Sequence, residues 1–331
     1  MVVLKVEWRE SPDEKTIASA AEMVSVFERE VIPGEPDTPA AELAADLLHV
    51  PPHRHVSIAV ATDAGQTVGT ARLVLDDTAG NQDLAEVEYL VVRPEVRRAG
   101  IGRALVQAVC ERTDRPRIRA YVPVSHSGGM KFAAGIGAIP GIVDRQNRVG
   151  VADLDREMLE GWVRRAKDRA HDYSLVCFDG PCPDELLEGF ALLTRVMNTA
   201  PRSAGDQDVH STPAEVRASH ETLLRRMGWV WTACACHEAT GKLVGFTQLL
   251  ATRARPWLGQ QWDTGVDPAH RNLGLGRWLK AANALRLIDE RPEVTTIETW
   301  NAGVNAAMLA INDGMGFRPV ADWQEWTLER G

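Results

Sequence analysis

The chain has 331 residues, 25% of them charged, and a formal net charge of −9, the profile of an ordinary globular protein long enough for about two domains. The acidic balance argues against a nucleic-acid partner, which would require a basic face, and no run of about 18 apolar residues offers a membrane span. Five cysteines without a C-x-x-C pair point to neither a disulfide framework nor a metal site. The opening MVVLKVEWRESPDEK lacks a signal peptide's basic-then-apolar order, so a cytoplasmic protein is expected.

In chain order, LKVEW reads as a strand, and SPDE from Ser11 supplies a helix cap with Glu14 three residues on, for a helix to about Val31. A short helix follows Thr38, then strands near 55–62, 67–75 and 86–92, a helix over 100–113 and a strand at 117–122. The charged stretch LDREMLEGWVRRAKDRA is a helical connector, which puts a domain boundary near Ala170 and predicts domains over 1–170 and 171–331. The second half predicts a strand at 174–178, helices at 184–198 and 213–227, and strands at 229–236, 242–250 and 260–266. It continues with a helix at 274–290, a strand at 294–300, a helix at 304–313 and a last strand at 323–328.

The two halves repeat one plan. Arg97 opens the turn RRAGIG, and Arg271 opens the turn RNLGLG about half a chain later. The offset between these two arginines also pairs Pro94 with Pro268, Gly100 with Gly274, Gly102 with Gly276, Arg103 with Arg277 and Leu105 with Leu279. A strand running into glycines and a helix gathers unpaired backbone N–H groups at the positive end of the helix dipole, where a phosphate fits. Arg98 adds positive charge to the first mouth. A dinucleotide fingerprint would need a third glycine where Leu105 and Leu279 stand, and a Walker loop would need a closing G-K-[ST]. Both nucleotide readings fail.

R-x-x-G-x-G after a strand ending in V-x-P resembles the acyl-CoA motif of the GNAT superfamily of N-acetyltransferases. TWNAGVNAAMLAINDGMGF (299–317) is similar to the family's second motif, with Asn301 and Asn305 ahead of a short helix and a closing Gly316–Phe317. The first-half counterpart VPVSHSGGMKFAAGIGA (122–138) has Val122 and His126 where those asparagines stand. The resemblance spans nearly the whole chain as two tandem domains of mixed α/β fold, an arrangement similar to that of the mycothiol synthases. It implies acetyl-CoA as cofactor and a primary amine of a small molecule as acceptor, of antibiotic, secondary-metabolite or thiol-precursor type, in a monomer or homodimer. The cofactor contacts it implies are Leu90, Val91, Val92 and Arg97, Arg98, Ala99, Gly100, Ile101, Gly102, Arg103 in the first half. In the second they are Thr264, Gly265, Val266, Arg271, Asn272, Leu273, Gly274, Leu275, Gly276, Arg277, Asn301 and Asn305.

The chemistry needs a neutral amine, hence a carboxylate base. Glu86 and Glu88 lie two apart on one predicted strand and share a face. On the second-half strand Gln260 stands in place of Glu86, and Asp263 is the only acid, opposite Gln260 and Trp262 by alternation. The tyrosine by which many GNAT enzymes protonate the leaving thiolate is replaced by Asn312, and by Ala133 in the first half. The second half therefore has the fuller cofactor motifs and the first the better base. A coenzyme-binding protein without turnover is the alternative.

Overall fold

The computed structural model describes residues 4–330, with only the backbone described at Lys167. These residues form two compact units. The first comprises the chain through Asp144, Ser203–Gly205, and Ala321 onward. The second comprises Arg145–Arg202 and Asp206–Val320.

The first unit is built from β1 (Lys5–Arg9), α1 (Glu14–Val31), α2 (Ala40–Leu48), β2 (Arg54–Asp63), β3 (Gln66–Asp76), β4 (Leu84–Val92), α3 (Ile101–Arg112), β5 (Arg117–Pro123) and α4 (Ser127–Gly135). The cap of α1 is Asp13, which accepts the Thr16 N–H at 2.8 Å, so the expected Ser11 cap shifts by two residues. Strands β1 to β4 pair antiparallel, and β4 pairs parallel with β5 from Leu84↔Arg117 to Val87↔Ala120. Ile101 and Leu105 of α3 bury against Ala59, Ala61 and Ala71 of β2 and β3. The four-residue spacing of Ile101, Leu105 and Val109 makes one apolar stripe on that helix.

The second unit repeats this order after β6 (Ile139–Gly150) and α5 (Arg156–Arg169). It runs β7 (Tyr173–Asp179), α6 (Asp184–Thr194), α7 (Pro213–Met227), β8 (Gly228–His237), β9 (Lys242–Thr252), β10 (Leu258–Val266), α8 (Leu275–Glu290), β11 (Thr296–Ala302) and α9 (Ala306–Gly314). A capping box between Thr212 and Glu215, with Pro213 in the first turn, starts α7. Helix α5 belongs to this unit: Leu159 buries fully among Ala281, Ala284 and Leu287 of α8, and Ala166 beside Leu279.

The last strand of each half crosses over. β12 (Arg318–Glu329) pairs antiparallel with β5, from Trp323↔Pro123 to Glu329↔Arg117, and completes the first unit's sheet. From Arg145 on, β6 lies beside β11 and completes the second. The compact units therefore interleave the sequence halves 1–170 and 171–331. No strand was expected over β6, because IPGIVDRQNRVG opens with Pro and Gly and ends in a polar run without alternation. Among the described residues, no helix is long and apolar enough to cross a membrane.

Candidate active site

In the second unit the parallel ladder between β10 and β11 runs only from Leu258↔Thr296 to Gln261↔Thr299. Past that point β10 continues to Val266 and β11 to Ala302 without pairing to each other. A bulge sets in at the same place: the register of β10 on β9 shifts between Gln261 and Thr264. Bulges re-aim side chains, and here Trp262 and Asp263 are both exposed, so strict alternation does not hold across them. The first unit repeats the device. Its β4–β5 ladder ends at Val87↔Ala120, and the bulge makes Glu88 the extra residue.

The glycine turns have closely matching backbones. Arg98 and Asn272 lie at φ 70° and 66°, Gly100 and Gly274 at 86° and 85°. A Cβ at Gly274 would meet no atom within 4 Å, so glycine is required there by backbone conformation and not by packing. Helices α3 and α8 begin at these glycines without a side-chain cap, which leaves first-turn N–H groups for an anion. Both motif arginines turn back on the preceding strand: Arg97 Nε donates to Val92 O at 3.0 Å, and Arg271 Nε to Val266 O at 2.9 Å.

The mouths differ in charge. Arg97 pairs with the Glu30 carboxylate at 3.0 Å, and His126 lies 3.5 Å from the same carboxylate. Arg271 instead donates to the Thr199 hydroxyl at 2.5 Å, and Arg277 lies over the Trp162 ring at 5.5 Å. Thr199 comes from a 3-10 turn (Arg195–Thr199) at the end of α6, which also crowds Gly265: a Cβ there would collide with Val196.

A cavity of about 770 Å³ connects these features in the second unit. It runs from Arg271, Gly274 and Gly276 past Thr264, Gly265 and Val266 to Asp263, Trp262 and Trp300. Asn272, Leu275, Arg277, Asn301 and Asn305 also line it, whereas Leu273 packs with Leu275 and Leu279. Asp263 is the one carboxylate among the lining residues. It is exposed to the cavity yet surrounded by protein, and this desolvation pushes its carboxyl above the ordinary range.

In the first unit Leu90 and Val92 pack beside Ile101 and Leu105, and Val91 beside Ala20 and Val24. Ala99, Gly100 and Arg103 are exposed and Gly102 is half-buried, a Cβ there touching Phe132 at 3.4 Å. Glu88 is tied to Arg72 at 2.8 Å. Glu86 pairs in register with Arg119, and burial followed by the nearby Glu88 pushes its carboxyl up.

Sequence reasoning missed one group. Lys280 on α8 is 1% exposed and lines the cavity. Its Nζ donates to Asn312 Oδ1, and Asn312 Nδ2 donates in turn to Asn301 Oδ1. The available signal was a lysine between Leu279 and Ala281 on an otherwise apolar helix face. Asn305 caps α9 by accepting the Met308 N–H at 3.3 Å, the task His126 performs for α4.

Comparison with known proteins agrees with this architecture. Residues 20–130 match the acetyltransferase (GNAT) family. The chain is 30% identical over 285 residues to the mycothiol acetyltransferase of Mycobacterium sp. (strain JLS), covering 83% of this chain and 81% of that protein. It is 27% identical over 319 residues to the mycothiol acetyltransferase of Amycolatopsis mediterranei (strain U-32), covering 94% and 95%. The solved structure of a tandem GNAT protein from the clavulanic acid biosynthesis pathway superposes with a TM-score of 0.78 at 28% identity over 99% of both chains. The chain belongs to the GNAT family of acetyltransferases, as an N-acetyltransferase with two GNAT domains in tandem.

Proposed function

We propose that the protein is an acetyl-CoA-dependent N-acetyltransferase acting on a primary amine of a small molecule, with its working site in the second unit. The observation that carries this reading is the continuous cavity from the glycine turn, through the opened β10–β11 ladder, to Asp263. The residues present fit the coenzyme. Free N–H groups at Gly274, Leu275 and Gly276, with Arg271 and Arg277, would hold its phosphates. The backbone of Thr264, Gly265 and Val266, left without a β11 partner, would hold the acyl arm. Bound there, acetyl-CoA supplies the acetyl group as a thioester.

Asp263 is the base in this proposal, taking the proton that the amine must lose. A carboxyl raised by desolvation binds a proton more strongly than an ordinary aspartate, which suits that task. The partly exposed Trp262 and Trp300 line the same cavity and would give an amine-bearing acceptor an aromatic wall. Glu88, tied to Arg72, and the Glu30 carboxylate in the first mouth favour the second unit over the first.

The test is thiol release from acetyl-CoA with a panel of small amines, repeated for Gly274→Glu and Gly100→Glu. Turnover that survives Gly100→Glu and is lost in Gly274→Glu supports the reading. Loss from Gly100→Glu alone moves the reaction to the first unit. Coenzyme binding without turnover of any amine would replace catalysis with a binding role.

A further inference from the structure

The three positions that carry the Lys280–Asn312–Asn301 chain are all apolar in the first half. Matching the first residue of α3, Ile101, to that of α8, Leu275, places Val106 opposite Lys280. Matching Arg117 of β5 to Thr296 of β11 places Val122 opposite Asn301, and matching Ser127 of α4 to Ala306 of α9 places Ala133 opposite Asn312. One repeat thus keeps apolar side chains where the other buries an ammonium and an amide and half-buries a second amide. Burying such groups costs several kcal/mol unless they are paired, and the apolar twin shows that the fold does not need them.

Lys280 makes no ion pair among the described residues. Its partners are the Asn312 amide oxygen and the face of the Phe317 ring, 5.4 Å away. Around it on α8, Leu275, Leu279, Ala281 and Ala284 pack with apolar side chains of the neighbouring strands and helix, including Ala233, Ala235, Leu159 and Trp231. The charged and titratable groups that share its cavity are Asp263, His270, Arg169, Arg271 and Arg277. A three-donor cation with one neutral acceptor has donor capacity left for a bound molecule. Asn312, which occupies the place of the tyrosine expected by resemblance, is a neutral amide and does not line the cavity; Lys280 does.

We propose that Lys280 is the proton donor to the departing thiolate, held in place by Asn312 and Asn301. The inference rests on the second-unit reading above. Asp263 removes one proton from the nitrogen as the carbon–nitrogen bond forms. Lys280 gives one proton to sulfur as the carbon–sulfur bond breaks and the sulfur keeps the bonding electron pair. Asp263 then passes its proton through solvent to Lys280, so the net change moves one proton from amine to thiol. Burial pulls the Lys280 ammonium down to about 7, which lets it release and regain a proton near neutral pH.

The test compares binding of coenzyme A with desulfo-coenzyme A by calorimetry on the full chain, and does not depend on turnover. A hydrogen bond from Lys280 to sulfur makes the wild-type protein prefer coenzyme A by about fivefold or more. Lys280→Met should abolish that preference and lower kcat by on the order of 100-fold with little change in KM. The double variant Lys280→Val, Asn312→Ala installs the first-half residues at these two positions, guards against misfolding of the single variant, and should behave likewise. Equal preference in wild type and both variants, or unchanged kcat in a folded variant, overturns the assignment. If no amine is turned over, the enzymatic reading fails, while the desulfo-coenzyme comparison still decides whether Lys280 meets the sulfur.

Discussion

Arg97 lies 3.0 Å from the Glu30 carboxylate, whereas Arg271, its twin in the second half, reaches the hydroxyl of Thr199. The two turns share nearly the same backbone dihedrals, so their difference lies in charge. An anion entering the first mouth must displace a carboxylate from its arginine; at the second it meets an arginine held by a neutral group. Glu30→Thr should therefore raise coenzyme A affinity at the first turn by at least about tenfold, equivalent to ~1.4 kcal/mol. Calorimetry in a Gly274→Glu background isolates that site, and unchanged affinity would show that Glu30 does not gate it.

Asp263→Asn should lower kcat by roughly 10²–10⁴-fold, the usual worth of a general base. The acidic limb of the wild-type rate profile should sit above the ordinary aspartate value near ~3.9 and vanish in the variant. Stability should move the other way. The folded carboxyl is raised, so the native state holds its proton more tightly than the unfolded chain, and ionisation costs stability as pH rises through the folded value. Asp263→Asn should then melt above wild type at neutral pH. A variant that is both less stable and fully active would contradict this role.

His220 gives a stability prediction of opposite sign. The ring is 5% exposed, accepts the Cys182 N–H at 3.2 Å and lies 3.3 Å from the Gln248 amide. Burial pulls its pKa down to about 4 from an ordinary value of 6.5. Between those values the unfolded chain takes up a proton that the native ring refuses. The neutral ring's stability is complete above pH 6.5 and drains away as pH falls toward 4. Urea midpoints across that window should fall steeply in wild type and less steeply in His220→Gln.

Leu159→Ala probes whether the charged helix α5 is part of the second unit's core. The side chain is fully buried beside Ala281, Ala284 and Leu287, so truncation should cost about 2–5 kcal/mol in denaturant unfolding. A loss below ~0.5 kcal/mol, the usual scale of surface changes, would detach α5 from that core.

What the sequence determined by itself was the repeat, the turns and most of the elements, because these rest on local chemistry. Glycine at 100 and 274 is demanded by a positive φ, and the apolar spacing of α3 and α8 shows which faces are buried. The family followed from those same motifs. Tertiary structure decided what depends on residues distant in the chain. Strand β6, with Pro140, Gly141 and a polar run, carries no local strand signal; neighbouring strands hold it in place. The bulges brought Trp262 and Asp263 to the cavity together, which two-residue alternation could not foresee. Glu30 on α1 reaches Arg97 beyond β4, and Asn312 on α9 reaches Lys280 on α8, and no local pattern encodes such pairs. Charge at the mouths and the buried lysine are therefore products of packing, since each depends on which distant side chain the fold sets beside it.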